Sequence, residues 1–283
     1  MKGLFPDEAK QLKLSAAYWK MYHESVSLIG TPAFDAKVAA AHARLDEAVR
    51  QHRRLAVAWS GGKDSQVIAH LARQHSGCLP PFIVSNHLEF PSVNEFIDQH
   101  VAEENVLRVP MNFAWLQRNP AMLWSTDRSV DFVRREKWRL QDAYAKNHRC
   151  AGIVFGRRSR DGKVLSNDGT KIVGGNSVGA GGSYTVKSGM ARVNPIFDWS
   201  TSEVFAYMQQ YKLGLYPPYT YGHADNPIGI IYGTTEGWHQ WLPRAAADSD
   251  PLNAWRIMRD FCDVAVVEQA ATVFPLARRV LKE

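Results

Sequence analysis

Six consecutive residues, Ser60-Gly61-Gly62-Lys63-Asp64-Ser65, hold the residue types needed to cradle an anion. Two glycines let successive backbone amides close on phosphate oxygens, and a helix beginning behind them favours the same negative charge. Lys63 adds a positive point charge, and the hydroxyls of Ser60 and Ser65 can donate to oxygen. Asp64 would repel phosphate, so it reads either as a Mg²⁺ ligand or as a brace of the loop. The spacing fits neither the Walker loop, which ends Gly-Lys-Ser/Thr, nor the dinucleotide pattern Gly-x-Gly-x-x-Gly. Cations further along extend the candidate site. Arg157, behind Gly156, is the best positive group for a phosphate or for the acceptor of a transferred group; its neighbour Arg158 either joins it or faces solvent. Lys187 and Arg192 are the other candidates to reach an anion.

These residues need elements to position them, and the apolar pattern supplies candidates. Leu55-Ala56-Val57-Ala58-Trp59 is a short apolar run ending at Ser60, after which Val67, Ile68, Leu71 and Ala72 recur at helical spacing. That is strand, glycine loop, helix. Phe82-Ile83-Val84-Ser85, Val106–Val109 and Gly152–Phe155 predict further strands, with helices over 93–104 and 128–147. The alternation predicts an α/β fold, a mostly parallel twisted sheet with helices on both faces. Residues 1–50 read as a helical leader, with helices over 9–30 and 33–50 parted by Thr31-Pro32. Asn167-Asp168-Gly169, between Lys163–Ser166 and Thr170–Val173, predicts a hairpin. The glycine-rich stretch near 174–189 predicts a lid over the site. Ser200 and Glu203 stand at capping-box spacing before a helix. The nucleotide-binding α/β domain is expected to span 51–222, and 223–283 to form a mainly helical extension.

Composition narrows the classes. The chain has 283 residues, 45% hydrophobic and 22% charged, which excludes disordered and fibrous proteins. Its formal charge of +6 suits an anionic ligand. Cys78, Cys150 and Cys262 are far apart and odd in number, so neither a disulfide scaffold nor an intrinsic four-cysteine iron–sulfur cluster is expected. There is no apolar run long enough to span a membrane, and the first residues lack a signal-peptide pattern, so a cytoplasmic location is expected.

The hexapeptide resembles the pyrophosphate loop (PP-loop) of the ATP pyrophosphatase superfamily. Other segments narrow the resemblance to its phosphoadenylyl-sulfate (PAPS) reductase branch. Val84, Phe90 and Pro91 match the branch's Val-Asp-Thr-Gly-x-x-Phe-Pro, although Ser85-Asn86-His87 replace the Asp-Thr-Gly core. Gly156-Arg157-Arg158 matches its Gly-x-Arg, and Asn194-Pro195-Ile196-Phe197-Asp198-Trp199-Ser200 its Asn-Pro-Ile/Leu-x-Asp-Trp-Ser/Thr block. Pro217-Pro218-Tyr219 corresponds loosely to a Pro-Tyr-Tyr-like segment. The resemblance covers roughly residues 55–222 and implies a Rossmann-like fold of the adenine nucleotide alpha hydrolase type.

It also implies site roles. Ser60 through Ser65 would hold phosphates, Lys63 would offset charge on leaving pyrophosphate, and Val84 and Ser85 would contact adenine through backbone groups. Mg²⁺ would sit among phosphate oxygens with help from Asp64. The branch's reductases attack the sulfonucleotide with a cysteine in a terminal Glu-Cys-Gly-Leu-His tail. The sequence here ends Arg278-Arg279-Val280-Leu281-Lys282-Glu283 and carries no cysteine after Cys262. The leading expectation is therefore an enzyme that binds ATP and transfers AMP to an unidentified acceptor, releasing pyrophosphate, in sulfur or nucleic-acid modification metabolism. Two alternatives stay open: a PAPS reductase-like enzyme that takes its thiol from another protein, and a nucleotide-binding subunit without activity of its own. A homodimer, a partner protein and a nucleic-acid acceptor near Arg134-Arg135, Lys137 and Arg139 also stay open.

Overall fold

The computed structural model describes residues 20–85, 91–104, 106–110, 126–159, 172–173, 176–177, 182–214 and 275–283, together with residues 259, 268 and 271. Its elements in chain order are a 3₁₀ turn Ser25–Leu28, α1 Pro32–His52, β1 Leu55–Ala58, α2 Lys63–Ala72, β2 Cys78–Ser85, α3 Pro91–Glu104, β3 Leu107–Pro110, α4 Thr126–Asn147, β4 Gly152–Val154, β5 Ile172–Val173, β6 Asn176–Ser177, β7 Tyr184–Thr185, β8 Ala191–Val193, α5 Thr201–Gln210 and α6 Pro275–Val280. α1 starts where Thr31 caps the Phe34 amide and a proline takes the first helical position, where its missing N–H costs nothing. α5 starts at the Ser200–Glu203 capping box that the spacing predicts.

Six strands form the main sheet in the order β3-β2-β1-β4-β8-β7. All neighbours are parallel except β7, which runs antiparallel to β8 at the edge. The chain winds outward from β1 through β2 to β3, then returns to place β4 on the other side of β1. The order therefore reverses between β1 and β4, and the crevice beyond the carboxyl ends of those strands is where such sheets take ligands.

Side chains alternate across the sheet and feed two cores. Leu55, Val57, Ile83, Val154 and Val193 face α1, α2, α3 and α5, with Phe34, Leu45, Ile68, Ile97 and Phe205 among their neighbours. Ala56, Ala58, Phe82, Val84 and Ile153 face α4, where Phe82 stacks on Tyr144 at 4.1 Å between ring centroids. Each fully buried large apolar side chain contributes about 1.5–3 kcal/mol, so strands this short are held by covering both faces. α1 is one of these covering layers: Ala41 and Leu45 are completely buried in the first core. Ala277 and Val280 of α6 enter the same core.

Asp198 locks α1 to the segment before α5. Its Oδ1 accepts from Arg44 at 2.5 Å and its Oδ2 from Lys37 at 3.1 Å, while Arg44 also donates to the Pro195 carbonyl. Burial pushes the Asp198 pKa up, but hydrogen bonds from Arg44 and Lys37 more than offset this and hold it at about 2. A carboxylate whose pKa falls on folding adds stability only while ionised. That contribution is complete above the ordinary value of 3.8 and is lost as pH falls through about 2. Urea midpoints of wild type and Asp198→Asn should therefore differ at pH 6 and converge as pH is taken from 4 towards 2. A gap independent of pH would contradict this role.

The stretch expected to form a lid, near 174–189, lies only partly in the described residues. Its described later part, 182–189, is fixed to the sheet: β7 pairs with β8, the Val186 amide donates to the Met190 carbonyl, and Asn194 Nδ2 donates to the Gly182 carbonyl at 2.5 Å. A segment carrying ladder bonds cannot lift as a lid without breaking them. β5 pairs antiparallel with β6, from which Gly174-Gly175 separate it, whereas residues 163–166 of the expected hairpin lie outside the described residues. The aromatic segment at 215–219 and most of 223–274 lie outside them too.

Candidate functional site

β1 ends at Ala58, the Trp59 amide is bonded to the Phe82 carbonyl, and the chain then turns into the loop. Gly61 takes φ +80°, which a residue with a Cβ enters at a cost of about 1–2 kcal/mol. Gly62 stands at the N-cap and Lys63 opens α2. The loop also bonds to itself: the Ser60 amide donates to Ser65 Oγ at 3.1 Å, and Ser65 Oγ donates to the Gly62 carbonyl at 2.8 Å. Ser65 is thus a staple that shapes the loop. The site is a strand, a turn with glycine freedom where it is needed, and a helix N-terminus aimed at the crevice.

Gly156 meets the loop from β4. A Cβ there would lie 2.6 Å from the carbonyl carbon of Asp64 and 2.7 Å from its oxygen. Two segments expected only to share a ligand are therefore in direct backbone contact. Arg158 completes the junction, and it is the buried arginine of the pair, 2% exposed. Its Nε lies 2.9 Å from Asp64 Oδ1, at an angle too oblique for a good hydrogen bond, and its Nη1 donates to Thr201 Oγ1 at 2.8 Å. The next residue, Ser159, donates its amide to the Phe197 carbonyl at 2.6 Å. Lys63, also 2% exposed, donates to the other oxygen of Asp64 at 2.9 Å. One carboxylate thus sits between two buried cations, and the trio carries a formal charge of +1.

This arrangement bears on the two expectations for Asp64. A divalent cation on its carboxylate would face Lys63 on one oxygen and Arg158 on the other, so the donor set does not suit Mg²⁺. Asp64 is a brace. No group of three or more His, Cys, Asp or Glu suited to a metal occurs among the described residues.

Arg157 is half-buried just beyond the carboxyl end of β4, where it donates to Tyr184 Oη of the edge strand β7 at 3.2 Å and lies 5.7 Å above the Phe155 ring. Val84 and Ser85 continue β2 beyond the level at which β1 stops, because Ala58 is paired with Phe82. Their backbone therefore extends past the end of β1 on the side of the loop.

Lys187 and Arg192 do not join them. Ala191 is level with Gly152, and Gly152 with Leu55, the first residue of β1. The hairpin carrying Lys187 projects past Ala191, so the full length of β1, roughly 10 Å at about 3.3 Å per residue, separates Lys187 from the loop. Arg192 sits mid-strand opposite Ile153 and is committed to α4: its Nη2 donates to Asp142 Oδ1 at 2.5 Å, and it lies 5.4 Å from the Phe155 ring. In this structure it ties the sheet to the helix.

Cys78 and Cys150 are also at the wrong end. Cys78 is level with Leu55, and Cys150 precedes Gly152. Burial, with added repulsion from Cys150 and Asp46, pushes the Cys78 thiol up to about 12. Burial raises Cys150 as well, against a downward pull from Arg54. Neither is a thiolate nucleophile near neutral pH. Cys262 lies outside the described residues.

Residues that the motif reading passed over complete the setting. Thr201 receives Arg158, Asp142 receives Arg192, and Trp59 beside the loop stacks on His100 at 5.2 Å and Phe96 at 6.2 Å. The period of the apolar residues carries no signal for these partners, because each belongs to a distant element.

No helix among the described residues is long and apolar enough to cross a membrane. Comparison with known proteins bears on what this site belongs to. Two curated phosphoadenosine 5'-phosphosulfate reductases are similar to the chain. That of Erwinia tasmaniensis is 22% identical over 193 residues, covering 67% of this chain and 72% of the relative. That of Photobacterium profundum is 23% identical over 194 residues, covering 66% and 69%. The crystal structure of a phosphoadenylyl-sulfate reductase from Candida auris, in complex with phosphate, aligns with TM-score 0.47 and 14% identity over 69% of this chain and 87% of that one. The model of the phosphoadenosine phosphosulfate reductase domain matches residues 54–229, a span that opens just before β1 and takes in the loop, Gly156-Arg157-Arg158 and the segment braced by Asp198, and the chain belongs to that family.

Proposed function

We propose that this chain binds an adenine nucleotide of the sulfonucleotide class, with its anionic end on the Ser60–Ser65 loop, and that the thiol reducing it comes from another molecule. The observation that carries this reading is the separation of loop and cysteines: the loop lies beyond the carboxyl end of β1, whereas Cys78 and Cys150 lie at the amino end of the same sheet with raised pKa values. Within the crevice, loop amides, Lys63 and Arg157 surround the anionic end, and the backbone of Val84 and Ser85 lies where adenine would stack. The reaction is a two-electron reduction: two thiols become a disulfide, the sulfuryl group leaves as sulfite, and the nucleotide keeps the bridging oxygen. The similarity to proteins named phosphoadenosine 5'-phosphosulfate reductase supports this substrate class.

The test is sulfite release from phosphoadenosine phosphosulfate with and without an added dithiol. Release is expected only with the dithiol, and at an unchanged rate when Cys78, Cys150 and Cys262 are all replaced by serine. Loss of release in the triple variant would place the nucleophile in this chain. Tight binding without release under any dithiol would leave a nucleotide-binding subunit. Transfer of AMP from ATP is the second reading, supported by Lys63 and the cradle of a complete PP-loop, which suit a polyphosphate. Pyrophosphate release from ATP, with no binding of the sulfonucleotide, would select it.

A further inference from the structure

We infer that the anionic end of the nucleotide is bound by an exchange of ion-pair partners, in which Lys63 leaves Asp64 for the ligand while Arg158 stays on Asp64 as a positioning residue. The inference deepens the functional reading above and rests on it for the ligand.

Lys63 is the loop's cation, yet in this structure its ammonium is bonded to the carboxylate next to it in the chain. A phosphate or sulfate reaching the loop therefore competes with Asp64 for Lys63. If Asp64 had no second partner, each Lys63 released would leave a largely buried carboxylate without a counter-charge, which is strongly unfavourable. Arg158 supplies that partner on the opposite oxygen, Oδ1 against Oδ2, so both cations are held without crossing.

The geometry gives Arg158 no comparable freedom to leave. Thr201 Oγ1, in the first turn of α5, accepts from its Nη1; the Ser159 amide anchors the backbone beside it to Phe197; and Gly156 lies against the backbone of Asp64. Lys63 stands at the first position of α2, beside the loop amides where the ligand would sit, whereas Arg158 presents a rigid fork held by Thr201 and Asp64 behind the loop. The mobile partner is the one beside the ligand. This also explains why the second arginine of the pair is buried: Arg157 donates to Tyr184 on β7, and Arg158 holds the residue that holds Lys63.

The test is a double-mutant cycle read as affinity for phosphoadenosine phosphosulfate or ATP, whichever wild type binds more tightly, with adenosine as the uncharged comparator. Arg158→Gln should weaken the anionic nucleotide by about tenfold or more, because Asp64 then retains Lys63. Adenosine affinity should change little. Adding Asp64→Asn to Arg158→Gln should recover most of the loss, since no carboxylate remains to compete, and Arg158→Lys should stay close to wild type. A packing role alone predicts the reverse, a double variant no better than Arg158→Gln. If Arg158→Gln does not fold, Thr201→Val loosens the same arginine by removing a single hydroxyl, and its smaller loss should also be recovered by Asp64→Asn. An additive cycle, or equal losses for anionic nucleotide and adenosine, would overturn the exchange while leaving the loop as the binding site. Absence of any nucleotide binding by wild type would overturn both.

Discussion

Gly156→Ala is expected to weaken nucleotide binding severely in a protein that still folds. The new methyl would stand 2.6–2.9 Å from the carbonyl carbon, the oxygen and the Cβ of Asp64, two of them backbone atoms that cannot rotate away. Either β4 or the first turn of α2 must shift. Overpacking of this kind costs about 1–3 kcal/mol of stability, which a two-faced sheet with cores on both sides can absorb. The loop has less tolerance. Its amides, Lys63 and the Ser65 staple are all referenced to the start of α2, and a displacement there misaims them together. Affinity for the anionic nucleotide should fall by about 100-fold, the order of loss that a misplacement of about 1 Å can cause in a preorganised site. Urea denaturation beside a binding titration separates the two effects. A variant binding like wild type would show that the Gly156 contact does not position the loop.

Lys63→Ala is the second large effect. It removes the loop's own cation from beside the expected anion, and hydrogen bonds to charged groups are worth about 1.5–3 kcal/mol, or roughly 10- to 150-fold in affinity. The loss should scale with ligand charge: large for phosphoadenosine phosphosulfate and ATP, smaller for AMP and negligible for adenosine. Folding should survive, since Asp64 keeps Arg158 as its counter-charge when Lys63 is removed. A titration series across these ligands checks the expectation. Equal losses for adenosine and the anionic nucleotides would remove Lys63 from the anion site.

The parts of the fold that were legible in the sequence are those written in local pattern. β1, the loop and α2 were readable from Leu55–Trp59, the glycines and the Val67–Ala72 stripe because strand, turn and helix there each leave a contiguous signature. The α5 cap was readable because Ser200 and Glu203 are three residues apart. Placement was not legible where it depends on register between distant strands. Nothing local to Lys187 reveals that Ala191 is level with the start of β1, and only that register puts the lysine at the far end of the sheet. Glycine density near 174–189 was compatible with a lid or with an edge hairpin, and the ladder between β7 and β8 favours the hairpin for 182–189. Arg157 and Arg158 look equivalent in sequence. They part because one donates to Tyr184 on β7 and the other meets Asp64 and Thr201, which come from elements brought together by the return crossing at β1 and β4.

The central claim is that the crevice between the carboxyl ends of β1 and β4 holds the anionic end of an adenine nucleotide, and a crystal soaked with phosphoadenosine phosphosulfate tests it most directly. The expected map places an anionic group within hydrogen-bond distance of the Ser60–Ser65 amides, with Lys63 turned from Asp64 towards it and adenine against the backbone of Val84 and Ser85. Density for the nucleotide at the opposite end of the sheet, near Lys187 and Cys150, with an empty loop, would contradict it.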